Sequence, residues 1–304
     1  MRLVRFNGGR IGVLGGRRVY DVTAQVGADP AAWPPTDMLR LIRDFARLKP
    51  ILVAACDEPG ISLDEVRLDA PIVWPSKLIA YPVNYVAHGT EMKSANRADL
   101  NGFFLKASSS ISGPADPIVL PDLLDREIHH ECELAIIIGR EGRHISRDQA
   151  LDYVFGYSCL IDATVRGKEE RVMRKSYDSF CPIGPALVTA DEVADASALE
   201  MKLWVNDELR QHANTRDLIV DIPEMIATAA AVSTIYPGDV IATGTPAGVG
   251  PIRAGDVVTI EIERVGRMSV PVIQGTGGAM SRSPDAYRRR GRRWGMFDEH
   301  RAAS

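Results

Sequence analysis

A β-rich α+β fold is what this sequence predicts, on three observations. Short runs of strand composition recur from Leu3 to Val265, punctuated by glycine and proline turns. Helical periodicity is confined to three segments. Past residue 200 strand-like runs dominate, so helices are expected at the periphery of sheets rather than as a bundle.

Taken in order, "LVRF", "RIGVL" and "RRVYDV" read as a small β-meander whose "NGG" and "GG" connections suit hairpin turns. "TDMLRLIRDFARL" places Met38, Leu41, Ile42, Phe45 and Leu48 on one helical stripe, with Thr36 or Asp37 as cap and Pro50 ending or kinking the helix. The proline-spaced "LDAPIVWPSK" marks a boundary between a small N-terminal α/β domain, 1–72, and a larger catalytic domain, 73–275. After the strand-like "KLIAYPVNY" comes "AHGTEMKSANRADLNG", a polar segment that reads as a mobile lid or binding loop. "GFFLKA", "DPIVLP" and "HHECELAIIIG" read as strands, and "SRDQALDYVFGY" as a helix whose Ser146 and Gln149 fit a capping box. "YSCLIDATV" is a strand, "LEMKLWVNDELRQ" a hairpin and "DIPEMIATAAAVS" a helix, before the glycine-rich "GDVIATGTPAGVG" and the strand "GDVVTIEIERV". The tail, 276–304, carries seven arginines against three acids from Ser281 onward and reads as an arm.

Bulk composition excludes several functions. With 304 residues, 45% hydrophobic and 25% charged, the chain is of ordinary globular type. A net charge of −4 gives no general attraction to nucleic acid or anionic membrane. The opening "MRLVRFNGGR" has no apolar signal region, and no apolar run reaches the roughly 20 residues that span a bilayer. Cys56, Cys132, Cys159 and Cys181 lack CxxC spacing, so they read as reduced thiols of a cytoplasmic protein.

The chemistry concentrates in a few places. In a strand, Glu131 and Glu133 point the same way about 7 Å apart, a costly arrangement unless a cation lies between them. A solvated strand face is the alternative. Asp162, alone in the apolar "CLIDATVR", supplies a third carboxylate, and three such oxygens suit a hard divalent ion, magnesium or manganese. His88 and Glu91 share a helical face if that segment is helical, so the carboxylate would orient the imidazole as a general base; a surface pair is the commoner fate of such spacing. Lys175, among aromatics and prolines, reads as a buried cation facing a bound anion or as a surface ion-pair partner. "ATGTPAGVG" lacks the GK[ST] ending of a phosphate loop and reads as a turn presenting Thr245 and backbone N–H groups to a carboxylate. His129 and His130 stay outside the metal shell.

In sequence order, "NYVAHGTE", "FFLKASSSISGPADPIVLP", "HHECELAIIIG", "FGYSCLIDATVR", "KSYDSFCPIGP", "VNDELRQ" and "GDVIATGTPAGVG" resemble the fumarylacetoacetate hydrolase family over residues 75 to 265. The resemblance implies a mixed β-roll with peripheral helices, assembled as a homodimer, that acts on 2-oxo and 1,3-dioxo acids with magnesium, manganese or calcium. It makes Glu131, Glu133 and Asp162 the metal ligands. It makes His88 and Glu91 a dyad on a closing lid, and Lys175 the stabiliser of oxyanion charge. Arg166, Thr245, Lys106 and the position of Glu169 become substrate contacts. The chain departs from the family at Gly167, where an acid is usual, at Glu169, where a glutamine is common, and at Pro82, which replaces a glycine. A glutamate at 169 would repel a second substrate carboxylate unless protonated or paired.

The reaction expected is metal-dependent hydrolysis of a carbon–carbon bond in a 2,4-dioxo acid. A decarboxylase, hydratase or tautomerase of a 2-oxo acid would use the same groups, and a non-catalytic binding protein would keep only the scaffold. The arginine tail comes with no aromatic platform, so no nucleic-acid partner is expected, and no membrane partner either.

Overall fold

The computed structural model describes residues 1–94, 97–123 and 126–275. The arm expected from Ser281 onward lies outside the described residues.

Cys132–Ile138 is the central strand, with all seven residues buried. Its side chains alternate between two cores: Leu134, Ile136 and Ile138 join one, Ala135 and Ile137 the other. A strand apolar at both parities needs cover on both faces, and each buried isoleucine contributes about 1.5–3 kcal/mol. Antiparallel neighbours are Val154–Ile161 and Val240–Ala242. The twelve-stranded sheet continues one way through Cys181–Thr189 and the other way through Leu78–Ala80 to Phe104–Lys106. Val240–Ala242 runs parallel to Leu78–Ala80, which makes the sheet mixed. A five-stranded sheet runs from Glu208–Asn214 through Glu200–Val205, Val257–Ile262 and Gly266–Gln274 to Ile118–Leu120. A three-stranded sheet joins Thr164–Val165, Ile128–His130 and Gly250–Pro251. The expected β-rich α+β architecture is therefore present.

The first strands form the expected meander, Arg2–Phe6, Arg10–Gly15 and Arg18–Asp21. Leu3 sits opposite Leu187, so the meander extends the main sheet. Helix Ile222–Val232 packs Met225, Ile226 and Ala229 into the core. Its cap, Asp221, accepts from the Glu224 N–H at 3.0 Å. None of the described helices is long and apolar enough to cross a membrane.

Local structure departs from expectation in three places. The stripe of Met38, Leu41, Ile42 and Leu48 is buried as expected, but on two helices, Asp37–Arg43 and Phe45–Ala54. The break falls at Asp44, whose side chain takes Arg43 and Arg47, while Pro50 lies inside the second helix. Arg147–Tyr153 is a 3₁₀ helix rather than an α-helix. Ser146 donates to the Gln149 side chain and caps no backbone N–H, so the capping box is not formed. Finally, neither acid-bearing strand is continuous: Glu131 falls between Ile128–His130 and Cys132–Ile138, and Asp162 between Val154–Ile161 and Thr164–Val165.

Candidate active site

Those two interruptions coincide. Cys132 pairs with Ile161 on one side of the gap, and His129 with Thr164 on the other. The same offset carried across sets Glu131 opposite Asp162, and the Asp162 N–H donates to the Glu131 carbonyl at 2.9 Å. One antiparallel pair thus passes from the large sheet into the small one, with an acid from each strand at the corner. Like charges directly opposite are destabilising. Glu133, two residues on, completes a trio whose ligand oxygens lie within 4.8 Å of one another, all three side chains buried.

The protein answers this charge with cations. Lys175 Nζ donates to Glu131 Oε2 and to Asp162 Oδ2, each at 2.6 Å. Lys106 pairs with the other Asp162 oxygen and donates to the Phe180 carbonyl at 3.2 Å. Arg166 approaches Glu131 Oε1 at 3.5 Å. Burial pushes the Glu131 carboxyl up, but Lys175, then Arg166 and His88, hold it down at about 2. Glu133 goes the other way: burial and the nearby Asp162 push it well above the usual carboxylate range, against the pull of Lys175. Burial pulls Lys175 down, and the three carboxylates outweigh it, so its ammonium is held charged more firmly than usual. The trio therefore leaves Glu133 in need of a proton or a further cation. Converging, buried, all-oxygen donors of this kind fit a hard divalent ion.

A glycine-rich turn and a short helix close over the trio. The Gly244 N–H donates to Glu133 Oε2 at 2.9 Å. Gly244 has φ +89°, and a Cβ there would stand 2.7 Å from both Asn84 Cβ and the Tyr81 carbonyl, so only glycine fits. On the helix Val86–Glu91, His88 Nδ1 lies 3.1 Å from Glu91 Oε2. Because the carboxylate can only accept, Nδ1 carries the hydrogen, so in the neutral imidazole Nε2 is the nitrogen with the lone pair. The other Glu91 oxygen accepts from the Gly248 N–H at 3.0 Å, pinning the helix to the turn. His88, Thr245, Lys175, Arg166 and the three acids line one cavity of about 380 Å³. Gln211 fixes the back wall. Its Oε1 accepts from the Cys132 N–H at 3.0 Å, and its Nε2 donates to Thr245 Oγ1 at 2.8 Å.

Two expected substrate contacts lie elsewhere. Glu169 does not line the cavity: Arg126 takes both its oxygens, at 3.0 and 2.8 Å, and holds its carboxyl below the usual range. Replacing it with glutamine is therefore expected to cost stability, about 1 kcal/mol or less for a partly exposed pair, read as a lowered Tm. Lys106 is sealed behind Asp162, with a side chain 0% exposed, so it positions that acid instead of meeting a ligand. His129 pairs with Glu127 and His130 with Gln211, which leaves both outside the trio, as expected. Sequence reading missed Gln211 as a positioning residue, although it ends the quoted "VNDELRQ". It also missed Arg171 and Arg174, which line the cavity; their i, i+3 spacing was the available signal.

A family model for the fumarylacetoacetate (FAA) hydrolase C-terminal region matches residues 77–273, and the chain belongs to the fumarylacetoacetate hydrolase family. Among its relatives is a maleylpyruvate hydrolase of Aquipseudomonas alcaligenes, 42% identical over 285 residues, 90% of this chain and 99% of that protein. The mitochondrial oxaloacetate tautomerase fahd2 of Xenopus laevis is 38% identical over 226 residues, 70% of each chain. The crystal structure of maleylpyruvate hydrolase from Sphingobium sp. SYK-6, in complex with manganese(II) ion and pyruvate, superposes with a TM-score of 0.84 at 56% identity. It covers 91% of this chain and 100% of that one.

Proposed function

We propose that this protein is a divalent-metal-dependent hydrolase that splits an acylpyruvate, a 2,4-dioxo acid, into pyruvate and a carboxylic acid. The observation that carries the reading is one cavity in which a buried carboxylate trio faces an oriented imidazole. Glu131, Glu133 and Asp162 would hold magnesium or manganese, with calcium a further fit. When bound, the ion supplies Lewis-acid polarisation of the 2-oxo acid end. Likeness to two maleylpyruvate hydrolases, one of them solved with manganese and pyruvate, supports both the ion and the reaction.

The chain's own groups supply the rest. His88 Nε2 takes a proton from water, which attacks the distal acyl carbon. Glu91 holds the imidazole in the required tautomer and stabilises the imidazolium that forms. Lys175, firmly protonated, stabilises oxyanion charge and the departing enolate. As the C3–C4 bond breaks, its electron pair goes to C3 of the pyruvate enolate, where a proton then adds. Thr245, fixed by Gln211, and the glycine-rich turn offer donors to the substrate carboxylate. Four free cysteines among the described residues support a cytoplasmic setting. A homodimer without nucleic-acid or membrane partners completes the reading.

A tautomerase is the second reading, favoured by the fahd2 relative. It needs no water consumed. The test is a panel of acylpyruvates and oxaloacetate with manganese, magnesium or chelator present. Metal-dependent release of pyruvate from acylpyruvates is expected, and tautomerisation alone would reject the hydrolase.

A further inference from the structure

Gln211 occupies the one buried position of strand Glu208–Asn214 and is 1% exposed. Its amide has two donors and two acceptor positions, and all four are taken. Oε1 accepts from the Cys132 N–H at 3.0 Å and lies 3.1 Å from His130 Nδ1. Nε2 donates to Thr245 Oγ1 at 2.8 Å and to the Pro246 carbonyl at 2.9 Å. Two of these partners act in one sense only: a backbone N–H donates and a carbonyl accepts. They fix which end of the amide is oxygen, a choice that side-chain partners alone would leave open. His130 Nδ1 therefore carries a hydrogen for Oε1, and Thr245 Oγ1 accepts. A hydroxyl held by a fixed donor still has its own hydrogen to give. Among the described residues Thr245 gives it to no protein group, and Thr245 lines the cavity of the carboxylate trio. Every donor in the chain points one way, from imidazole to amide, from amide to hydroxyl, and from hydroxyl to cavity.

We propose that His130 and Gln211 are positioning residues that commit the Thr245 hydroxyl to donate, so that this wall of the cavity favours a hydrogen-bond acceptor, the carboxylate of the 2-oxo acid. The proposal rests on the reading of the trio as the metal end and of Thr245 as a contact of that carboxylate. A hydroxyl free to rotate offers a hydrogen or a lone pair to whatever arrives. One held by Gln211 has its hydrogen aimed before the ligand binds, which removes an ordering cost from binding. Aligned donors also polarise one another, so the imidazole at the head of the chain strengthens the hydroxyl at its end.

Calorimetry with pyruvate, on the full chain at saturating manganese, tests this through paired substitutions. Thr245→Val should weaken pyruvate binding about tenfold or more, the effect of one charge-assisted hydrogen bond. Thr245→Ser, which keeps the hydroxyl, should weaken it far less. Gln211→Met bares the Pro246 carbonyl, which then competes for the Thr245 hydrogen. It should cost about fivefold or more on its own and less than about twofold in the Thr245→Val background. Equal losses in the two backgrounds would make Gln211 a support of the fold alone and overturn the proposal, as would an unweakened Thr245→Val. If Gln211→Met does not fold, His130→Phe carries the same cycle, because it spares both backbone anchors of the amide. A loss of about twofold, absent from the Thr245→Val background, is then expected, and no loss or equal losses overturn the chain. All these failures leave the metal-end reading in place. A wild type that binds manganese but no pyruvate overturns that reading, and this proposal with it.

Discussion

Glu133→Ala should abolish tight divalent-ion binding, weakening it by at least about a hundredfold, more than the loss of an outer-shell partner typically costs. The reason lies in how this acid differs from its neighbours. Glu131 and Asp162 share the Lys175 ammonium, whereas the Glu133 carboxylate accepts only the Gly244 N–H among the described residues. Its charge is therefore the one left for an ion to satisfy. Removing it should leave the metal-free fold intact, because a carboxyl pushed well above its usual range opposes folding whenever it ionises. Manganese should raise the Tm of the wild type and not that of the variant. The sign with pH follows: metal-free Glu133 keeps a proton above the usual carboxylate range, and binding expels it. Affinity should thus fall as pH falls through that window, and calorimetric heats should scale with the ionisation enthalpy of the buffer.

His88→Ala should lower kcat about 10²- to 10⁴-fold, the range for loss of a positioned general base, while manganese still binds. Glu91→Gln should cost less. It keeps one acceptor oxygen, for either the Gly248 N–H or the imidazole Nδ1–H, and loses the charge that stabilises an imidazolium. Pre-steady-state kinetics separates this from a lid defect: a loss confined to the chemical step supports the base, and slowed substrate entry points to closure.

Most of the trio was legible because burying a charge is expensive. Acids in apolar runs, as in "HHECELAIIIG" and "CLIDATVR", advertise a cation. The sequence did not reveal that Glu131 and Asp162 sit directly opposite at a strand interruption, because register is set by pairing across the sheet. The segment read as a helix, "DIPEMIATAAAVS", forms Ile222–Val232, whereas Pro50 does not end its helix, because the packing of buried Leu48 and Leu52 on either side overrides a local penalty. The fate of Glu169 was hidden for the same reason. Its partner, Arg126, lies 43 residues away, and no local pattern links the two.

Turnover of an acylpyruvate by the manganese-loaded protein in H₂¹⁸O, with the products weighed by mass spectrometry, tests the central claim most directly. Hydrolysis across the C3–C4 bond predicts pyruvate together with an acid carrying solvent oxygen in its new carboxylate. A product of unchanged mass, or one lighter by carbon dioxide, would contradict the account.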